Sequence, residues 1–222
     1  MSLTQGVFEA VFAAAYLIAV LSMGMVMLLR SYGDRQTRLF GVMALVLGCG
    51  DAFHLLPRAY ALLTDGLAMH TAALGYGKLV TSITMTVFYL ILYKVWRQRY
   101  RVRGHKKLTR LMWMLALARI ALCLFPQNGW TSDSPSLWWA AARNLPFVLM
   151  GILVVVLFYQ SASWRGDRSF GMLWIAVSFS FLCYLPVVFF AQAVPSVGML
   201  MIPKTLAYVW IIHIGYRELR WL

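Results

Sequence analysis

Four basic residues, Lys78, Arg119, Arg143 and Lys204, lie inside long apolar runs of the chain, and a fifth, Arg58, stands at the rim of one. The runs hold one clearly embedded carboxylate, Asp51, and Glu9 is a second near the shallower start of the first run. Ionisable groups within a membrane span cost roughly 2.5–3.5 kcal/mol each at a helix centre, so they mark function by default. Counted inward from the outer ends of their runs at about 1.5 Å per residue, Asp51, Lys78, Arg119, Arg143 and Lys204 fall in one layer roughly 7–12 Å deep. Even with both carboxylates paired, about two positive charges remain at a depth where bare charge is costly. A phosphate, carboxylate or lipid headgroup entering from outside would complete the layer, with arginine giving forked contacts and lysine point charges. Arg58, Lys78, Arg119, Arg143 and Lys204 are the expected ligand-binding residues, and the hydroxyls of Ser82 and Tyr208 add hydrogen bonds. Asn144, Tyr184 and Gln192 are further polar candidates. The competing reading of the same layer is a self-satisfied network that only locks the helices together.

Asp51, His54 and Arg58 share one helix face at i, i+3 and i+7. A hydrolytic reading makes Asp51 and His54 the acid and base beside a cationic stabiliser such as Lys78 or Arg119. The segment Gly50-Asp51-Ala52-Phe53-His54-Leu55-Leu56-Pro57-Arg58 resembles the Gly-Asp segment of the bacterial lysoplasmalogenase-like family of multispan lipid hydrolases. That resemblance implies a catalytic Asp51, although a second intramembrane aspartate is lacking. Metal sites want several converging ligands. His70, His105 and His213 do not converge with His54, so neither a metal nor another cofactor is expected. Tyr184-Leu185-Pro186-Val187-Val188 resembles a sixth-helix segment of microbial rhodopsins, but Lys204 stands too near the outer end and Lys78 occupies the place of a counter-ion.

The elements that must hold these residues follow from composition. The 222 residues are 62% hydrophobic and 12% charged, far from the balance of a soluble domain. At about 20 residues per span, the chain is read as an all-α, polytopic membrane protein with seven transmembrane helices near 7–29, 39–57, 70–93, 109–126, 138–160, 170–191 and 197–216. Fifteen of the 20 basic residues gather on one side, most densely between Lys94 and Arg110, with Arg220 in the C-terminal group. The positive-inside rule makes that side cytoplasmic, leaving the N-terminus outside, the C-terminus inside and the protein in a prokaryotic plasma membrane. The net charge of +13 therefore anchors the chain against anionic headgroups, and no nucleic-acid partner is expected because no solvated basic domain exists. The first helix is read as retained and not as a cleaved leader. Cys49, Cys123 and Cys183 are read as small buried residues. Trp96, Trp130, Trp138, Trp139, Trp164 and Trp221 are read as interfacial anchors, and Trp113, Trp174 and Trp210 as packing or pocket walls.

A repeat is visible within the chain. Gly33-Asp34-Arg35 is followed by Arg38, Phe40 and Gly41, and Gly166-Asp167-Arg168 by Phe170 and Gly171. Pro57 follows Phe40 at almost the same interval as Pro186 follows Phe170, and a lysine enters each following helix, Lys78 and Lys204. This suggests one membrane domain built as a parallel 3+1+3 repeat: residues 1–93, a basic loop and connector helix over 94–137, and residues 138–222. The layout resembles the SWEET and PQ-loop families, which implies a ligand site between the halves near the midplane. The function expected is binding or transport of a small anionic solute or anionic amphiphile, with membrane lipids as partners. The alternatives are an intramembrane lipid hydrolase centred on Asp51 and His54, and a receptor-like or structural protein without turnover.

Overall fold

The computed structural model describes residues 3–132, 136–191 and 193–219; Gln192, Arg220 and Trp221 lie outside the described residues. Seven α-helices form: α1 (Leu3–Leu29), α2 (Arg35–Leu63), α3 (Thr71–Arg99), α4 (Lys106–Leu124), α5 (Leu137–Arg165), α6 (Leu173–Phe190) and α7 (Met201–Arg217). Short 3-10 turns at Leu67–His70, Pro126–Asn128 and Pro195–Leu200 join α2 to α3, α4 to α5 and α6 to α7. There is no strand among the described residues.

Six of the seven helices are long and apolar enough to cross a membrane. The exception is α4, whose 19 residues include Lys106, Lys107, Arg110 and Arg119. Phe8, Val11, Ile18, Leu117, Leu145, Ile152 and Leu182 are all more than half exposed on the outside of the bundle. Such a coat is unstable in water and natural in lipid, where helices satisfy their own backbone groups. These are the features of a multi-pass membrane protein.

The helices close into a ring in chain order. Each packs on the next, α7 returns to α1 and α2, and α3 touches α5 directly, so α4 sits at the periphery between them. Local chemistry sets the helix ends. Gly33 turns the chain in the left-handed region that favours glycine, with φ at 85°. Asp34 then caps α2, accepting from the backbone N–H of Gln36 at 3.2 Å and of Thr37 at 2.9 Å. Gly166 ends α5 in the same way, with φ at 60°.

The second aspartate does different work. Arg99 donates from Nε and Nη2 to the two oxygens of Asp167 at 2.8 and 2.9 Å, and from Nη1 to Glu218 at 3.0 Å. Its guanidinium also lies over Phe170, tying the basic ends of α3 and α7 to the α5–α6 turn. Burial pushes the Asp167 carboxyl up, but the Arg99 hydrogen bond, the Phe170 N–H and the Arg99 charge outweigh it and hold its pKa below the ordinary value. Toward this end the core holds the buried rings of Phe40, Tyr100, Phe158 and Phe170.

Two groups of sequence expectations change on folding. Cys49 is exposed, while Cys123 and Cys183 are buried. Trp96 is no interfacial anchor: it is buried and its Nε1 donates to the Ser161 hydroxyl at 2.9 Å, because α3 is the most enclosed helix. Trp113, expected in packing, is exposed on the outer face of α4.

Candidate functional site

Each expected residue stands on the inward stripe of its helix. On α7, Lys204 continues the buried row Tyr208, Ile211 and Gly215; on α5, Arg143 continues Phe147, Met150 and Val154. On α2, Asp51 follows Phe40, Ala44 and Leu47 at helical spacing. The buried residues of α4 are Met112, Ala116, Arg119 and Cys123, a single stripe with the arginine in it.

On α3 the burial changes along one face. Lys78 shares a face with Met85, Tyr89, Leu92 and Trp96, at i+7, i+11, i+14 and i+18, all of them buried. Lys78 itself is exposed, and Ser82, one turn further in, is intermediate. Met85, two turns along the same face, is buried.

The two carboxylates of this region are already engaged. Glu9 accepts from Arg58 Nε at 3.1 Å and Nη2 at 2.9 Å, both on one oxygen, and from Gln5 at 3.3 Å on the other. Arg58 is thereby neutralised. Asp51 accepts from the Tyr16 hydroxyl at 2.6 Å, and Lys204 is the cation that acts on it through space. Among the described residues, Lys78, Arg119, Arg143 and Lys204 have no carboxylate oxygen within 4.0 Å.

Aromatic rings and neutral dipoles surround these cations. Lys204, 9% exposed, lies 5.0 Å from the Tyr184 ring centroid and 5.5 Å from that of Tyr208. Arg143 donates to Asn128 at 2.9 Å and lies over Trp130 at 4.3 Å. Asn128 can accept because its amide caps α4, donating to the carbonyls of Leu122 and Phe125 at 2.6 and 2.8 Å. Arg119 is 2% exposed and lies 3.5 Å from the Phe147 centroid, with Tyr184 and Cys123 as polar neighbours. Its Nε and Nη1 have no hydrogen-bond partner.

Charge proximity links the set. Lys78 senses Arg58 and Arg143, Arg143 senses Arg119, and Arg119 senses Lys204. His54 lies within range of Lys78, Arg58 and Lys204, and its Nδ1 is buried without a partner. Ser82 donates to the Lys78 carbonyl of its own helix at 2.8 Å, and Tyr208 meets the Tyr89 hydroxyl at 3.4 Å. Tyr184 donates to Asn144 at 2.7 Å.

Sequence reasoning missed Tyr16 as the partner of Asp51. Its signal was present, since Glu9, Ala13, Tyr16 and Val20 repeat at helical spacing on α1. Asn128 gave no signal, because its role comes from a loop folding back on α4. Asp51 and His54 are the only expected catalytic pair; no group of three potential metal ligands forms among the described residues. The arrangement can bind an anion through converging cations with unfilled hydrogen-bonding capacity. The chain matches no family model, no curated protein and no solved structure.

Proposed function

We propose that this protein binds or transports a small anionic solute or anionic amphiphile that enters from outside and is held by Lys78, Arg119, Arg143 and Lys204. The observation that carries this reading is Arg119, a buried guanidinium whose Nε and Nη1 have no partner, which feels the charges of Arg143 and Lys204 and has no carboxylate within 4.0 Å among the described residues. Leaving charged donors buried and unmade costs several kcal/mol, and a bound anion removes that cost. Tyr16 and Lys204 hold Asp51 ready to orient the ligand or to carry a proton with it.

The topology that accompanies this reading has seven spans, with α4 as the seventh, its basic end and the other arginine-rich ends in the cytoplasm of a prokaryotic plasma membrane. The site then faces outward. For the parallel repeat, exchange of the halves turns the packed α1–α7 pair into the packed α5–α3 pair, whereas the packed α2–α7 pair has no equally packed α6–α3 counterpart.

Native mass spectrometry of protein purified with its lipids tests the site. A discrete anion retained by wild type and lost from both Lys78→Ala and Lys204→Ala is the expected result. No retained species, with loss of thermal stability in both variants, would make the layer a structural lock. The hydrolase reading is favoured by the unpartnered His54 Nδ1 beside Asp51; lysolipid turnover that disappears in Asp51→Asn while the variant stays folded would establish it instead.

A further inference from the structure

At the opposite end of the bundle, the α3–α4 corner forms a groove of about 660 Å³ lined by Arg97, Gly104, Lys106, Thr109, Arg110 and Trp113. No carboxylate lines it. Arg97 builds its floor, donating from Nη1 to the Thr109 hydroxyl at 2.9 Å and from Nη2 to the carbonyls of Val102 and Gly104 at 3.1 and 3.0 Å. The loop so held is strained, with Arg101 at φ 49° and His105 at φ 53°. Both lie in the left-handed region that side chains disfavour. Lys106 and Arg110 point from α4 into the same groove and, among the described residues, have no salt-bridge partner.

The exposed face of α4 continues this chemistry in order. Lys106, Arg110, Trp113, Leu117, Ala121 and Leu124 follow at i, i+4, i+7, i+11, i+15 and i+18, and every one is exposed. Two cations, an interfacial aromatic and then aliphatic surface repeat the order of a phospholipid: phosphate, glycerol-ester zone, acyl chain.

We infer that the α3–α4 corner is a binding site for an anionic phospholipid of the cytoplasmic leaflet, its phosphate held by Lys106 and Arg110 over the Arg97-built loop and its acyl chain lying along Trp113 and Leu117. This rests on the membrane topology proposed above and not on the outer anion site, so Lys78→Ala leaves it intact. It also gives α4, the most highly charged of the helices by composition, a lipid that neutralises its basic end.

The test compares thermal stabilisation of detergent-purified protein by phosphatidylglycerol, phosphatidylcholine and the water-soluble headgroup glycerophosphoglycerol. Phosphatidylglycerol should stabilise wild type selectively, and Lys106→Ala/Arg110→Ala should weaken its apparent affinity by about tenfold or more. Lys107→Ala, an exposed neighbour outside the groove, should change it little. Equal loss in Lys107→Ala would overturn the site in favour of diffuse surface charge, and equal stabilisation by the soluble headgroup would overturn the lipid in favour of a free anion. Should the double variant fail to fold, brominated phosphatidylglycerol in the wild type supplies the second readout. It should quench a fluorescence component that is absent from Trp113→Phe, whereas identical quenching of both proteins would overturn the proposal.

Discussion

Phe40 and Phe170, which follow the two Gly-Asp-Arg segments, meet edge to face with ring centroids 5.7 Å apart. Both are fully buried, and Phe40 also presses on Gly215 of α7, where a methyl group would overlap its ring. Removing either ring should destabilise the fold by about 3–5 kcal/mol. The double variant Phe40→Ala/Phe170→Ala should fall short of the sum by about 0.5–1.5 kcal/mol, as read from denaturant unfolding in detergent.

Arg119 is the site residue whose replacement separates binding from folding most cleanly. Arg119→Met keeps most of the volume over Phe147 and removes a buried charge without a carboxylate partner. The ligand-free variant should gain about 1–4 kcal/mol of stability, and it should lose any stabilisation by added anions. Thermal unfolding with and without anion checks both; a destabilised variant would mean that Tyr184 and Cys123 already satisfy the guanidinium.

Tyr16 and Asp51 form the shortest bond in the outer layer that joins two helices. Tyr16→Phe leaves the carboxylate without its hydroxyl donor, at a cost of about 1.5–3 kcal/mol for a hydrogen bond to a charged group. In an Asp51→Asn background the same change should cost less. The cycle measured by thermal unfolding reports the coupling, and equal costs in both backgrounds would disconnect the pair.

Gly75 lets α3 approach the α4–α5 connection so closely that an added methyl would overlap the Trp130 carbonyl. Gly75→Ala must displace backbone, not a flexible side chain. It should lower stability and shift Trp130 away from Arg143, which lies over its ring. A fall in thermal midpoint together with changed tryptophan emission is expected; an unchanged spectrum would free Arg143 from this dependence.

Acid should act at the other end of the bundle. The Asp167 pKa lies below the ordinary carboxyl value, so its stabilising contribution is complete above about pH 4 and is lost as pH falls through the folded-state pKa. Asp167→Asn should therefore be less stable at neutral pH by about 1.5–3 kcal/mol, and the difference from wild type should shrink on acidification. Unfolding measured at neutral pH and near pH 3 checks the sign.

Much of the architecture is readable from one chain because a bilayer imposes simple rules. Backbone groups must be satisfied within a helix, and about 20 apolar residues are needed to span. The long apolar runs therefore mark α1, α2, α3, α5, α6 and α7 without any knowledge of packing. Embedded charges are equally visible, since Asp51, Lys78, Arg143 and Lys204 each interrupt such a run and Arg119 interrupts the shorter apolar stretch of α4. Helical spacing then puts them on the inward stripes of their own helices.

What spacing along one helix leaves open is which residue of another helix arrives opposite. Arg58 reads as a ligand cation until α1 brings Glu9 against it, and Asp51 reads as the partner of a lysine until Tyr16 reaches it first. Arg143 acquires Asn128 and Trp130 only when the Pro126–Asn128 turn folds back over α4. The exposure of Lys78 on an otherwise buried stripe is likewise a property of the whole ring. Residue type and period thus determined which charges enter the membrane-like core. Distances of a few ångströms between helices, set by glycine contacts and aromatic packing, decided which of those charges are answered and left Arg119, deeply buried, with two donor atoms that are not.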